Sequence, residues 1–234
     1  MLLNKSKKLI LLIVFTLILF PYKSDIFALE NEKSVYITFD DGPGGKITKT
    51  ILDTLKKEEI PATFFVIGCQ IEGQEDIIKR MKEEGHSIGL HSFSHNRNKL
   101  YPSKDNFLNE MLLSQEIIFK ITSEKPNILR FPFGCNNNTY KLKESMVELL
   151  HENNLKIYDW NTDSGDGANS NLAVGKIISN SCVKKDNVIL LMHCSYINKN
   201  TALALPSIIK YYKDNNYNFK VIDESTEEVY KIMK

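Results

Sequence analysis

Seven short apolar runs, rich in β-branched and aromatic side chains, recur along the chain at 35–39, 62–67, 87–90, 127–131, 156–160, 188–192 and 219–222. Runs of that length and composition predict buried strands. Between them lie helical patterns at 47–59, 75–84, 107–122, 140–153, 172–179 and 201–216. The first sets Ile47, Ile51, Leu52 and Leu55 on one face, and Gly85 stops the second. Strands alternating with helices predict a parallel α/β sheet, because parallel neighbours need a long crossover that a helix supplies. The polar stretches 136–138 and 163–171 read as loops, and no repeat or linker divides residues 33–234, which predict a single domain. With 42% hydrophobic and 25% charged residues, the chain is neither disordered nor collagen-like. Its 30 basic and 29 acidic side chains nearly cancel, which argues against a nucleic-acid binder.

Residues 1–28 stand apart. Lys5, Lys7 and Lys8 precede an apolar run at 9–20, closed by Pro21. A basic start, a short apolar core and a polar exit predict a signal peptide, or a single N-terminal anchor if uncut. The run is short for a hydrocarbon layer of about 30 Å, which favours cleavage after Ala28. The expected location is extracellular or cell-wall associated, with membrane attachment only if the segment stays uncut. Cleavage would remove Lys5, Lys7, Lys8, Lys23 and Asp25 and turn the net charge from +1 to negative. The four cysteines, Cys69, Cys135, Cys182 and Cys194, lack CxxC spacing, which excludes a zinc ribbon. Free thiols are expected, since a domain this long holds a core without disulfides.

In parallel α/β folds the loops after the strands converge at one end, and chemistry collects there. Five predicted strand ends carry polar residues. The first reads Thr38-Phe39-Asp40-Asp41-Gly42-Pro43, with two adjacent carboxylates that repel unless a cation or donor stands near. Alone, a solvated Asp-Gly turn is the plainer reading. The second, His91-Ser92-Phe93-Ser94-His95, spaces two imidazoles at i and i+4, on one face if the segment is helical. Joined to an Asp they make a His₂Asp set with room for water, the pattern of a catalytic rather than a structural metal. The third is Arg130-Phe131-Pro132-Phe133-Gly134, where an unpaired guanidinium in an apolar strand is costly and Asp40 is the expected partner. The fourth, 159–167, holds Asp159, Asp163 and Asp166, acids that could simply decorate a turn. In the fifth, His193 ends an apolar run, where a satisfied core histidine is the commoner case. His86 precedes the strand 87–90 and belongs at the opposite end, with a structural role. Only the conjunction of the five favours a catalytic reading.

These five motifs, in this order, resemble carbohydrate esterase family 4, the NodB-type polysaccharide deacetylases. The likeness covers residues 34–222, and the stretches around Arg130–Asn138 and Tyr158–Asp166 look most like exported bacterial peptidoglycan deacetylases. It implies an irregular (β/α)₇ barrel and metal-dependent hydrolysis of N-acetyl groups on a polysaccharide, peptidoglycan or chitin-like, with acetate released. It further implies that Asp41, His91 and His95 hold one divalent metal; zinc is expected, while cobalt, nickel and manganese accept such donors too. Asp40 is implied as general base with Arg130 tethering it, and His193 as general acid with Asp163 holding it. The Phe133 N–H would bind the oxyanion, and Leu191 would line the acetyl pocket. A base and an acid together predict a bell-shaped rate profile.

The resemblance is incomplete. The family's fourth motif usually ends in Asp-Trp, whereas this chain has Asp166-Gly167. The missing indole predicts a more open acetyl pocket. Trp160 reads as a core residue, with a substrate wall as the alternative. A non-catalytic glycan-binding barrel and an O-acetyl esterase remain as rival readings. No HExxH or GxSxG suggests a protease, and no GxGxxG or P-loop suggests nucleotide binding. A monomer is expected.

Overall fold

In the computed structural model, which describes residues 32–233, the chain runs β1 (Ser34–Gly42), α1 (Lys46–Glu58), β2 (Thr63–Val66), α2 (Glu75–Glu83) and β3 (Ser87–Leu90). A one-turn α3 (Arg97–Leu100) leads into α4 (Lys104–Thr122), β4 (Ile128–Leu129), α5 (Glu144–Glu152), β5 (Lys156–Ile157) and β6 (Thr162–Asp163). Then follow α6 (Val174–Ser181), β7 (Asn187–His193), α7 (Lys199–Asp214) and β8 (Asn218–Lys220). The predicted signal or anchor segment, 1–28, lies outside the described residues.

The named strands all pair in parallel, in the order β5-β4-β3-β2-β1-β7-β6. The result is a curled seven-stranded parallel sheet flanked by helices, as the (β/α)₇ reading expects. One member of the path was not foreseen. Thr162–Asp163, read as part of a loop, pairs with Leu190 and Leu191 of β7. The predicted last strand instead becomes β8, which pairs with residues 34–36 of β1 and leaves 38–42 to β2.

The two-residue alternation of β1 divides the core. Val35, Ile37 and Phe39 are fully buried with Ile51, Leu52 and Leu55 of α1 in the large cluster between sheet and helices. On the other, concave face a smaller cluster joins Phe65, Ile128, Tyr158, Ile189 and Ile222, with Tyr36 and Trp160 packed against it. Trp160 is half-buried there, in line with its core reading.

Two predicted strands come out shorter than expected. Runs 127–131 and 156–160 shrink to Ile128–Leu129 and Lys156–Ile157. Beyond them the backbone carbonyls of Tyr158 and Asp159 accept hydrogen bonds from Arg130 Nε (2.8 Å) and Nη2 (3.2 Å) instead of joining a ladder. His86 is buried at the far end of the sheet, where its Nδ1 accepts from the Ala62 N–H at 3.2 Å. Burial lowers its pKa to about 4, so it is neutral and structural. All four thiols are free. Among the described residues no helix is long and apolar enough to cross a membrane.

Candidate active site

The carboxyl ends of β1, β3 and β7 and the segment after β4 bring the predicted residues together. Asp41 has φ 64°, and the β1–β2 register slips between Asp40 and Gly42. A straight strand sends successive side chains to opposite faces. The bulge instead turns both carboxylates toward one imidazole. Asp40 Oδ2 lies 3.7 Å and Asp41 Oδ1 3.4 Å from His91 Nε2.

His91 and His95 do not meet on a helix, contrary to the i, i+4 expectation. The segment is a coil with positive φ at Ser92 (66°) and His95 (51°). Ser92 Oγ accepts from the His95 N–H at 2.9 Å, and the buried Glu110 carboxylate accepts from Ser94 N (2.7 Å) and Oγ (2.8 Å). This tie to α4 folds the loop so that the two rings lie 5.0 Å apart.

Three donor atoms converge there. His95 Nε2 stands 3.3 Å from Asp41 Oδ1, and the ligand atoms of Asp41, His91 and His95 all lie within 4.8 Å of one another. Asp41 Oδ1 is buried without a hydrogen-bond partner among the described residues. His91 Nδ1 lies 3.0 Å from the Arg130 carbonyl. A carbonyl only accepts, so Nδ1 carries the proton and Nε2 presents a lone pair to the site. Burial and the neighbouring His91 lower His95 to about 4, leaving it neutral, the form a metal ligand takes. Burial opposes the charge on Asp41, but the adjoining His91 and His95 imidazoles, with His193 beyond them, outweigh it and hold its pKa below the usual carboxylate range. A buried orphan carboxylate oxygen faced by two imidazole nitrogens fits a divalent cation.

Beside this set, Arg130 is completely buried. Its Nη1 donates to Asp40 Oδ1 at 2.8 Å and to Thr38 Oγ1 at 2.7 Å. The guanidinium lies 4.3 Å from the ring centre of Phe65 and 5.7 Å from that of Trp160. The charge is thus paired, bonded and stacked, the conditions under which burial is tolerated.

His193 closes the third side, and its partner is Asp166, not Asp163. Asp166 Oδ1 meets His193 Nδ1 at 2.7 Å, and Oδ2 accepts from the His193 backbone N–H at 2.9 Å. Ser164 Oγ (2.8 Å) and Thr201 Oγ1 (2.5 Å) bind the same carboxylate, which is buried. Asp163 is exposed and accepts from the Gly165 N–H at 2.7 Å, closing a tight turn. The turn spends one acid on its own backbone and delivers the other, three residues on, to the histidine. Burial disfavours charge on His193, but the bond to Asp166 and the charges of Asp166, Asp40 and Asp41 reverse this and raise its pKa to about 9.

The remaining predicted residues frame the site. Phe133 has φ 68°, a strained value for a non-glycine residue. Its half-exposed ring meets His95 edge-on at 4.5 Å, under the Arg97 guanidinium at 3.7 Å. Leu191 is buried on β7 opposite Thr38. Gly167 does not leave the opening expected of a missing side chain: a Cβ there would meet the His193 ring. Cys194 lies against Gly42, and its Sγ is 3.5 Å from the Asp40 carbonyl. Glu110, Thr201 and Ser164 went unnoticed in the sequence, where nothing marks them out from surface residues of the same type.

The polysaccharide deacetylase family model matches residues 29–150, and the chain belongs to that family. A Bacillus cereus peptidoglycan-N-acetylglucosamine deacetylase is 34% identical over 203 residues, covering 84% of this chain and 72% of that protein. A Bacillus subtilis peptidoglycan-N-acetylmuramic acid deacetylase is also 34% identical, over 86% of this chain and 75% of its own length. The crystal structure of a Bacillus cereus polysaccharide deacetylase superposes with a TM-score of 0.76 at 35% identity, covering 84% of this chain and 95% of that one.

Proposed function

We propose that the protein is an exported, metal-dependent hydrolase that removes N-acetyl groups from peptidoglycan and releases acetate. One observation carries the reading. A cation-fitting Asp41–His91–His95 set lies beside the paired Asp40–Arg130, with a histidine held cationic by Asp166 closing the site. The family and its peptidoglycan-acting relatives support the substrate class.

A divalent cation on Asp41, His91 and His95, with zinc the expected ion, would acidify water and polarise the acetyl carbonyl. Asp40 acts as base: Arg130 occupies Oδ1, so Oδ2, the oxygen nearer His91, takes the proton from the attacking water. The Phe133 N–H donates to the carbonyl oxygen as charge grows on it, a contribution of about 10²–10³ in rate for such donors. An amine is a poor leaving group until protonated. His193 keeps its Nδ1–H on Asp166 and delivers the proton from Nε2 as the carbon–nitrogen bond breaks. Leu191 bounds the acyl methyl from the β7 side. The relatives named for N-acetylglucosamine and for N-acetylmuramic acid are equally similar, so both sugars belong in the assay.

The test is acetate and free-amine release from purified peptidoglycan, with Asp40→Asn as control. Release by the native protein and a loss of at least about 10²-fold in the variant are expected. Binding of the glycan without release would make the protein a glycan-binding barrel. Acetate without new amines would make it an O-acetyl esterase.

A further inference from the structure

The chain has three arginines, and two of them are paired with acids. Arg80 meets Asp53 at 2.7 Å and Glu84 at 2.9 Å, and Arg130 meets Asp40 at 2.8 Å. Arg97 has no acidic partner among the described residues. It donates from Nη1 to Thr139 Oγ1 at 2.9 Å and lies over the Phe133 ring at 3.7 Å. Its other N–H donors make no hydrogen bond to the described residues, although the side chain is half-buried. A guanidinium keeps its charge at any working pH, so a standing cation with free donors is held here.

Both of its contacts are fixed from behind. Asn96 caps the α3 turn that carries Arg97, its Oδ1 accepting from the Asn98 N–H at 2.9 Å. The buried Asn137 accepts from the Thr139 N–H at 2.8 Å and donates to the Gly134 carbonyl at 3.0 Å. That amide joins the polar partner of Arg97 to the segment of Phe133. Phe133 in turn meets His95 of the candidate metal set at 4.5 Å. The charge is therefore held at the rim of the site, and nothing in the hydrolysis of a neutral amide uses it. A pre-positioned guanidinium matches a carboxylate in two parallel hydrogen bonds and loses little freedom on binding it. We propose that Arg97 is a specificity-determining residue that binds a carboxylate of the glycan beside the N-acetyl group to be removed. The proposal rests on the deacetylase reading above and narrows its substrate to acidic units. N-acetylglucosamine has no carboxylate. N-acetylmuramic acid has one on its lactyl ether, ionised where no peptide is attached, and stem peptides carry others.

Three probes test it: a peptide-free tetrasaccharide of alternating N-acetylglucosamine and N-acetylmuramic acid, the same with its lactyl carboxylates converted to methylamides, and the peptide-bearing form. Acetate release gives kcat and KM for the native protein, Arg97→Gln and Arg97→Lys. The native protein should favour a carboxylate-bearing probe over the methylamide by about 10–100-fold in kcat/KM, carried by KM. Preference for the peptide-free acid assigns the lactyl group, and preference for the peptide-bearing form assigns the stem peptide. Arg97→Gln should bring the ratio close to one, and Arg97→Lys should keep only part of it, having the charge without the fork. Equal turnover of all three probes by the native protein, or a preference that survives in Arg97→Gln, would overturn the proposal. If the native protein releases acetate from none of them, the deacetylase reading fails instead. Calorimetric affinity for the acid against the methylamide then still decides what Arg97 binds.

Discussion

The His193 imidazole is pulled in two directions. Burial strips water from it and disfavours its charge, while the Asp166 carboxylate at 2.7 Å, backed by Asp40 and Asp41, restores that charge and raises its pKa to about 9. Because the folded-state value exceeds the ordinary 6.5, the charged ring adds stability that is complete below 6.5 and is lost as pH rises through about 9. The same titration removes the proposed acid. The alkaline limb of kcat/KM should follow it, and Asp166→Asn should move that limb to lower pH, read from rate profiles between about pH 7 and 10.5. A cation bound to Asp41 opposes the same shift, so the native limb lies at or below about 9. Asp163→Asn should leave the profile in place, since its carboxylate faces solvent and bonds only the Gly165 N–H. At this scale the sequence is a partial guide. Asp163 and Asp166 share a turn and a chemistry, and burial, which separates them, leaves no mark on residue type.

Two local devices build the candidate cation set from two strand ends. The bulge at Asp41 turns adjacent carboxylates to one side, and the coil at 91–95 brings two imidazoles together without a helix. The candidate ligands are legible because Asp41, His91 and His95 sit in short local motifs. Loop geometry is not, because it depends on Glu110, an acid in the middle of α4 with no marker in the sequence. Its carboxylate holds Ser94 by two hydrogen bonds and touches no ligand. Glu110→Ala should therefore weaken metal affinity by about 10–100-fold, as lost outer-shell partners do, while the far-ultraviolet circular dichroism stays native. Competition with a chromophoric chelator measures it. The short strands β4 and β5 follow the same logic: their apolar runs predict longer strands, but Arg130 takes the carbonyls of Tyr158 and Asp159 out of pairing.

Across the whole molecule, the curled parallel sheet is legible because strands covered on both faces read as continuous apolar runs. Thr162–Asp163 escapes that signal, as two polar residues held in place by β7. Arg130 ties the architecture to the site: one side chain bonds Thr38 and Asp40 of β1 and the segment after β5. Arg130→Met should strand the Asp40 carboxylate, unpaired and buried, and lower unfolding free energy by about 3–5 kcal/mol, measured by denaturant titration. The central claim is that a divalent cation on Asp41, His91 and His95 drives hydrolysis by Asp40 and His193. The most direct measurement is acetate release from peptidoglycan before chelation, after chelation to undetectable metal, and after zinc is restored. The account predicts activity, then background, then recovery. Unchanged release from verified metal-free protein would contradict it.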